Sequence, residues 1–513
     1  MSIPKAPAVY VVCGAVFSYY CLFPLYRSDR IGFIPLFIPL LVSVAALCLF
    51  RVLALYPFLG SEKPETTAKT VTCTPRRLKL TPSRISAFAA GLVLGIGAGA
   101  NVASGVTFAV RENTIQGITG TLLEDPRIVS GGRAMAALSL KMTMSEGGVR
   151  ATARGEIPVF FPGESAGRLQ EFGRGTEVAV EGFLRVTEGG PFGAYLFSAD
   201  SLHITKPAPP LERFRTGLRM GLIRRFSRAD SASWGGLALA LLLGVRDNLD
   251  SGFSAAYRDA GCSFILALSG MHLAVLAALI SFLLKKPLGL RPAAIAGALL
   301  IAAYCLLVGP LPSLYRAALM YLLGVIAVLG MLKREPFSLL CMAFIIQLII
   351  SPRAGTSLSF ILSYLALAGI LTVGLMLGRI FKGRIPDFFL LPFSASLGAF
   401  IATAGVTAFA FGVLRPVGLL AGLVLAPLTT VFMIGSIAWL ALDLISPVVS
   451  SLLHWPLSLL YTAMDKTASV SALAPGINAN PHLVLWLSLA VMAVTVWFDF
   501  RRSAAAGRLA PFE

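Results

Sequence analysis

Residues 262–330 read CSFILALSGMHLAVLAALISFLLKKPLGLRPAAIAGALLIAAYCLLVGPLPSLYRAALMYLLGVIAVLG, and this run decides the fold class. Two breaks divide it: the basic Lys285-Lys286-Pro287 with Arg291, and Gly309-Pro310-Leu311-Pro312. Three apolar segments remain, about 262–284, 292–309 and 313–332. Each approaches the roughly 20 residues with which an α-helix crosses a bilayer. Similar segments recur on both sides, at about 8–26, 31–60, 85–110, 336–351, 355–378, 388–412, 416–444, 446–474 and 481–499. The 513 residues are 56% hydrophobic and only 13% charged, whereas a soluble globular chain carries about 25% charge. Mean hydropathy is +0.80. The expected fold is therefore a polytopic α-helical membrane protein with about 10–12 transmembrane helices. The first run has no small-residue cleavage site before the next one and reads as an anchor. Segment 234–246 is too short to span and reads as re-entrant or interfacial.

One long stretch, 112–206, has no spanning segment. It reads as five short strands: QGITGTLL, AMAALSLKMTM, ATARGEIPVFF, TEVAVEGFLRV and AYLFSADSLHIT. Several alternate apolar and polar residues, as in Glu177-Val178-Ala179-Val180-Glu181, and turns such as SGGR, SEGG and EGGPFG separate them. Five strands of this length suit a small inserted β-barrel, of which the oligonucleotide-binding (OB) fold is one; another small barrel or sandwich fits the pattern as well. The expected organisation is N-terminal transmembrane helices over 1–110, an OB-like domain over 111–207, a second transmembrane domain over 211–500 and a basic tail over 501–513. Within 212–230, Phe214, Leu218, Leu222 and Phe226 recur at helical spacing among six arginines. That is a basic amphipathic helix, and membrane lipid is its expected partner.

Charge is unevenly placed. The net charge is +18, yet residues 111–206 hold 10 basic and 11 acidic side chains. A basic total is compatible with nucleic acid, but positive-inside bias of membrane loops accounts for it more simply. Placing the five basic loops 61–84, 285–291, 333–335, 379–387 and 501–508 in the cytoplasm needs an even number of crossings between them. The segments satisfy this if 446–474 crosses once. Both termini then lie inside and the β domain outside, as in a multi-pass protein of the cytoplasmic (inner) membrane. Six of the seven cysteines lie in or beside apolar stretches, and none pairs at metal-ligand spacing, so neither a disulfide framework nor a metal is expected. No phosphate-cradling loop or nucleophile elbow occurs; no cofactor and no catalysis are expected.

Polar groups at membrane depth are costly and mark functional paths by default. Ser269 and His272 share one helix face at the head of an apolar helix, and Gly270 between them permits close backbone approach. A capping serine beside an interfacial histidine would explain the pair equally well. Arg316 lies inside another apolar run and needs a partner or water. Asp443, and Asp465 with Lys466, are expected near helix ends. The β-domain aromatics, Phe160, Phe161, Phe172, Phe183, Phe192, Tyr195 and Phe197, could stack on bases, but core packing suits a domain without net basic charge better.

Four blocks carry a family resemblance. The first is GLALALLLGVRDNLDSGFSAAYRDAGCSFILALSGMHLAVL, with Gly236, Leu237, Gly244, Arg246, Leu249, Phe253, Ala260, Gly261, Ala267, Ser269, Gly270 and His272. PSLYRAALM follows, with Pro312, Ser313, Arg316, Ala317 and Met320. The third contains Pro352, Phe360, Leu362 and Ser363, and the fourth Gly398, Ala399, Thr403, Phe411, Gly412 and Pro427. In order and spacing these resemble the ComEC family of competence proteins, membrane channels for incoming single-stranded DNA in natural transformation. The chain departs from the family pattern at Phe264, where a histidine is frequent, and at Ile361, Phe400 and Gly422, where polar residues are expected. Many members end in a metallo-β-lactamase-like nuclease domain; the histidines here are His203, His272, His454 and His482, so a form lacking that domain is expected.

The resemblance implies a channel for single-stranded DNA, with Arg246, Ser269, Gly270, His272, Ser313, Arg316 and Ser363 as transport-path or motif residues. It also implies a cytoplasmic energy-supplying partner and a separate nuclease, and leaves the oligomeric state open. A permease for a small solute or lipid, or a non-transporting scaffold, would use the same helices.

Overall fold

The computed structural model describes residues 11–12, 14–16, 18–22, 82–103, 106–129, 133–163, 169, 171–190, 193–228, 234–332 and 335–508. The expected segment 31–60 and part of 8–26 lie outside the described residues, as does the basic linker up to residue 81. The chain forms two compact units. One comprises Ser104–Val325 and Leu420–Pro475; the other comprises Met1–Ala103, Ile326–Leu419 and Gly476–Glu513.

The first unit begins with a closed barrel. Strand β2 (Ile115–Leu122) pairs antiparallel with β4 (Ala134–Ser145) and with β7 (Glu177–Gly190). Strand β4 pairs with β5 (Arg150–Arg154) and β6 (Glu156–Phe161), while β6 runs parallel to β8 (Gly193–Lys206) and β8 closes antiparallel on β7. Two short strands, β1 (Thr107–Phe108) and β3 (Arg127–Ile128), flank this circuit. The β2-β4-β6-β8-β7 circuit, with one parallel pair, is OB-like. Period-two patterning drives it: alternate residues of β4 are buried, and Ile118, Leu138, Val159, Phe161, Val178 and Phe197 fill the interior. The run expected as one strand over 151–161 is two, because Gly155 adopts φ +123° and turns the chain between β5 and β6. Of the aromatics, Phe161 and Phe197 are core, as packing predicts, but Phe183 is 42% exposed with the Arg185 guanidinium 4.8 Å above its ring.

Helix α2 (Pro210–Arg228) follows the barrel, then α3 (Trp234–Leu243), α4 (Ser251–Asp259), α5 (Gly270–Leu288), α6 (Leu290–Val308) and α7 (Pro312–Leu329). α3 is apolar all round and almost wholly buried, as such a helix must be. Around it pack Phe226, Tyr257, Phe432, Trp439 and Tyr461, with Phe253 stacked on Tyr461 at 4.8 Å.

The second unit contains α1 (Pro82–Ala103), α8 (Pro336–Ile350), α9 (Leu358–Ile380), α10 (Asp387–Phe411) and α13 (Pro481–Arg508); α11 (Val417–Ile445) belongs mainly to the first unit, as does α12 (His454–Ala472). A π turn, Ile370–Gly374, interrupts α9 where it crosses α10. A Cβ at Gly398 would lie 2.7 Å from the Gly369 carbonyl oxygen, so the crossing depends on small residues.

Among the described residues six helices are long and apolar enough to span a membrane: α5, α6, α7, α9, α10 and α11. Shorter apolar helices occur at Ala87–Ala98, Trp234–Leu243, Pro336–Ile350 and Pro481–Met492. The protein is a polytopic α-helical membrane protein with an inserted OB-like barrel. Helix α12, on whose crossing the parity of basic loops depends, has the length of a span but is not among the six. Asp465 and Lys466 sit in its middle rather than at an end.

Candidate functional site

The site grows from a failure of the helix. After α4 the chain turns at Gly261, φ +72°, forms one turn at Ser263–Leu266 and runs extended through Ala267 into Ser269 before α5 begins. Non-helical backbone between membrane helices leaves carbonyls that need donors. Side chains supply them. Arg246 Nη2 donates to the Leu266 carbonyl at 3.2 Å, and Ser313 Oγ to the Leu268 carbonyl at 2.8 Å. Tyr304 Oη donates to the Leu242 carbonyl at 2.8 Å, closing the end of α3. Of the expected site residues, Arg246 and Ser313 are thus engaged with backbone.

Ser269 and His272 form a reciprocal cap. The Ser269 side chain accepts from the Met271 amide at 3.3 Å, and the Ser269 amide donates to His272 Nδ1 at 2.9 Å. Histidine here takes the part that Glu or Gln plays in a capping box. Because Nδ1 accepts, the proton of the neutral ring belongs on Nε2. That atom is buried and has no hydrogen-bond partner among the described residues. His272 is 2% exposed and Arg316 9%, so both are enclosed by protein. A Cβ at Gly270 would lie 2.6 Å from Arg316 Nη2 and 3.4 Å from the Ala317 Cβ. Glycine is what allows α7 to bring Arg316 against the first residue of α5. Arg246, Ser269, Gly270, His272, Ser313 and Arg316 therefore gather about one broken-helix hub. Ser363 belongs to the second unit, in α9. Two departures from the family pattern are neighbours here, since the Phe264 ring lies 3.6 Å from the position of a Cβ at Gly422.

Sequence reasoning missed two polar constellations. The first joins the barrel to the helices. Asp125, in the turn after β2, accepts from the Arg174 amide (3.0 Å), from Arg215 Nη1 (2.9 Å) and Nη2, and from Arg219 Nη1 (2.7 Å). Glu212 accepts from Arg174 and from Arg215 Nε, the latter at 2.6 Å. Burial alone would raise the Asp125 carboxyl; the Arg215 hydrogen bond and the charges of Arg219 and Arg215 outweigh it and hold the group below its ordinary 3.8. Glu212 shows the same opposition between burial and the bonds from Arg174 and Arg215, and is likewise held below its ordinary 4.5. The second lies in the other unit: Tyr364 Oη donates to the fully buried Gln347 at 2.8 Å, while Tyr19 and Tyr20 donate to the Pro352 and Gly355 carbonyls, each at 2.7 Å. A lone glutamine in PFSLLCMAFIIQLII was the available signal for it.

No solved structure matches the chain. ComE operon protein 3 of Bacillus subtilis (strain 168) is 30% identical over 134 residues, which span 25% of this chain and 17% of that relative. Residues 241–502, just over half of the chain, match the family described as Competence protein. That stretch contains the hub and five of the six gathered motif residues on α5, α7 and the turn before them, together with Arg246 at its start. The chain belongs to the competence protein family.

Proposed function

We propose that the protein takes part in DNA uptake and conducts single-stranded DNA across the cytoplasmic membrane, past the hub formed by Ser269, His272 and Arg316. The observation that carries this reading is the broken backbone at 260–269, capped by side chains and set beside an arginine, within the family-matched residues. Irregular backbone at membrane depth is tolerated where protein or a water-filled cavity surrounds it. In this reading the barrel lies on the periplasmic or extracellular side of the membrane, and both termini lie in the cytoplasm. The chain performs no chemistry on its substrate. Energy comes from a cytoplasmic partner, and a separate nuclease supplies the single strand.

Burial of His272 and Arg316 favours a closed resting state; a scaffold without transport would show the same burial. Deletion separates the two when internalised and surface-bound DNA are scored independently. The channel reading expects internalised DNA to vanish while surface-bound DNA persists. Arg316→Ala is expected to lower internalisation at unchanged protein level. Normal uptake by both Arg316→Ala and His272→Ala would remove the hub from the mechanism.

A further inference from the structure

Helix α2 has two faces with different occupants. Its inner face is satisfied by protein: Arg215 and Arg219 bind Asp125, Glu212 binds Arg174 and Arg215, and Phe226 enters the core; Arg225, on the stripe of Phe214 and Leu218 nearer the C-terminal end, pairs with Asp443 at 2.7 Å. The outer face is open. Leu211, Phe214 and Leu218 are 69%, 65% and 49% exposed, and Arg213, Arg224 and Arg228 are exposed beside them. At 100° per residue the apolar and basic stripes lie roughly a quarter of a turn apart. The acidic residue within α2 itself, Glu212, lies on the inner face.

The level of this helix is fixed by hydrogen bonds. Arg219 Nη1 donates to the Val308 carbonyl at 2.9 Å and Arg215 Nη1 to the Leu307 carbonyl at 3.3 Å. These are the last carbonyls of the membrane span Leu290–Val308, groups a helix end leaves without partners. α2 therefore lies where that span leaves the hydrocarbon. Three large apolar side chains with a basic stripe alongside, at that level, suit acyl-chain roots and phosphates together. We propose that the outer face of α2 binds the anionic phospholipid headgroup layer, with Leu211, Phe214 and Leu218 in the interface and Arg213, Arg224 and Arg228 on lipid phosphates. The proposal is independent of what the protein transports.

The test uses the full chain in phosphatidylcholine nanodiscs with and without phosphatidylglycerol, carrying the photocrosslinker p-benzoylphenylalanine in place of Leu218. Val149 gives the control position: it is 59% exposed in the β4–β5 turn, at the Ile115 end of β2 and away from the Leu122 end that meets α2. Leu218→p-benzoylphenylalanine should yield lipid adducts enriched in phosphatidylglycerol, and the Val149 variant none. Arg213→Gln, Arg224→Gln and Arg228→Gln should each lower the enrichment by up to about fivefold. Adducts to a second copy of the chain, no adduct, or lipid adducts indifferent to phosphatidylglycerol would each overturn it. So would enrichment that survives the triple Gln variant while hydrogen exchange shows the barrel still folded.

Discussion

Asp125→Asn should release the barrel from the helices without unfolding either. The carboxylate has 17% side-chain exposure, and its partners Arg215 and Arg219 have 6% and 15%. It accepts four hydrogen bonds, three of them from guanidinium groups. Asparagine keeps one acceptor oxygen and turns an NH2 group toward donors that need an acceptor. Removing one partner of a buried pair costs about 3–5 kcal/mol, because the remaining charge stays desolvated. Glu212 still holds Arg215, which puts the expected cost near the lower end, about 3 kcal/mol. At about 1.4 kcal/mol per decade, that raises local opening by roughly a hundredfold. Hydrogen exchange in nanodiscs reads it directly: amides of residues 120–128 and 210–228 should exchange about two decades faster, while β4 and β6 stay protected. Glu177→Gln is the comparison, since Lys141–Glu177 has 51% and 22% side-chain exposure and such pairs contribute less than about 1 kcal/mol. If Asp125→Asn changes exchange no more than Glu177→Gln does, the junction is not held by this network and the argument from burial is wrong.

Gly236→Ala would place a Cβ 2.1 Å from the Asn248 carbonyl oxygen and should cost about 3 kcal/mol or more, seen as loss of monodisperse protein in size-exclusion chromatography. Gly217→Ala, on the open face of α2 with nothing within 4 Å, should instead be neutral or stabilise by up to about 1 kcal/mol. Because Asp125 and Glu212 both titrate below their ordinary 3.8 and 4.5 in the folded protein, the junction's stability is complete above those values and lost as pH falls through the lower folded ones. Exchange at 210–228 should therefore be insensitive to pH between 6 and 8 after correction for intrinsic rates; a step in that window would contradict the assignment. Tyr364→Phe should lower thermal stability by about 1–3 kcal/mol through loss of its bond to buried Gln347, and adding Gln347→Leu should recover most of that; additive losses would show that the pair is not coupled.

The apolar runs and the period-two strands were legible because burial acts on every residue of an element, so a pattern survives local exceptions. Gly155 shows the limit, since nothing in ATARGEIPVFF distinguishes a strand that passes through its glycine from one that turns there. The site divides in the same way. Spacing alone put Ser269 and His272 on one face, but their capping of the helix depends on where the Ser269 amide points, and it points at Nδ1. The arginines of α2 make the case most sharply. Six of them in nineteen residues looked like one basic surface. Arg215 and Arg219 instead face a single aspartate 90 and 94 residues earlier in the chain. A periodicity assigns a side chain to a face of its helix; only the partner on the other side of that face decides whether the charge is structural or available to a ligand. For α2 the inner and outer arginines are separated by roughly half a turn, and that half-turn separates the junction of the barrel from the surface offered to lipid.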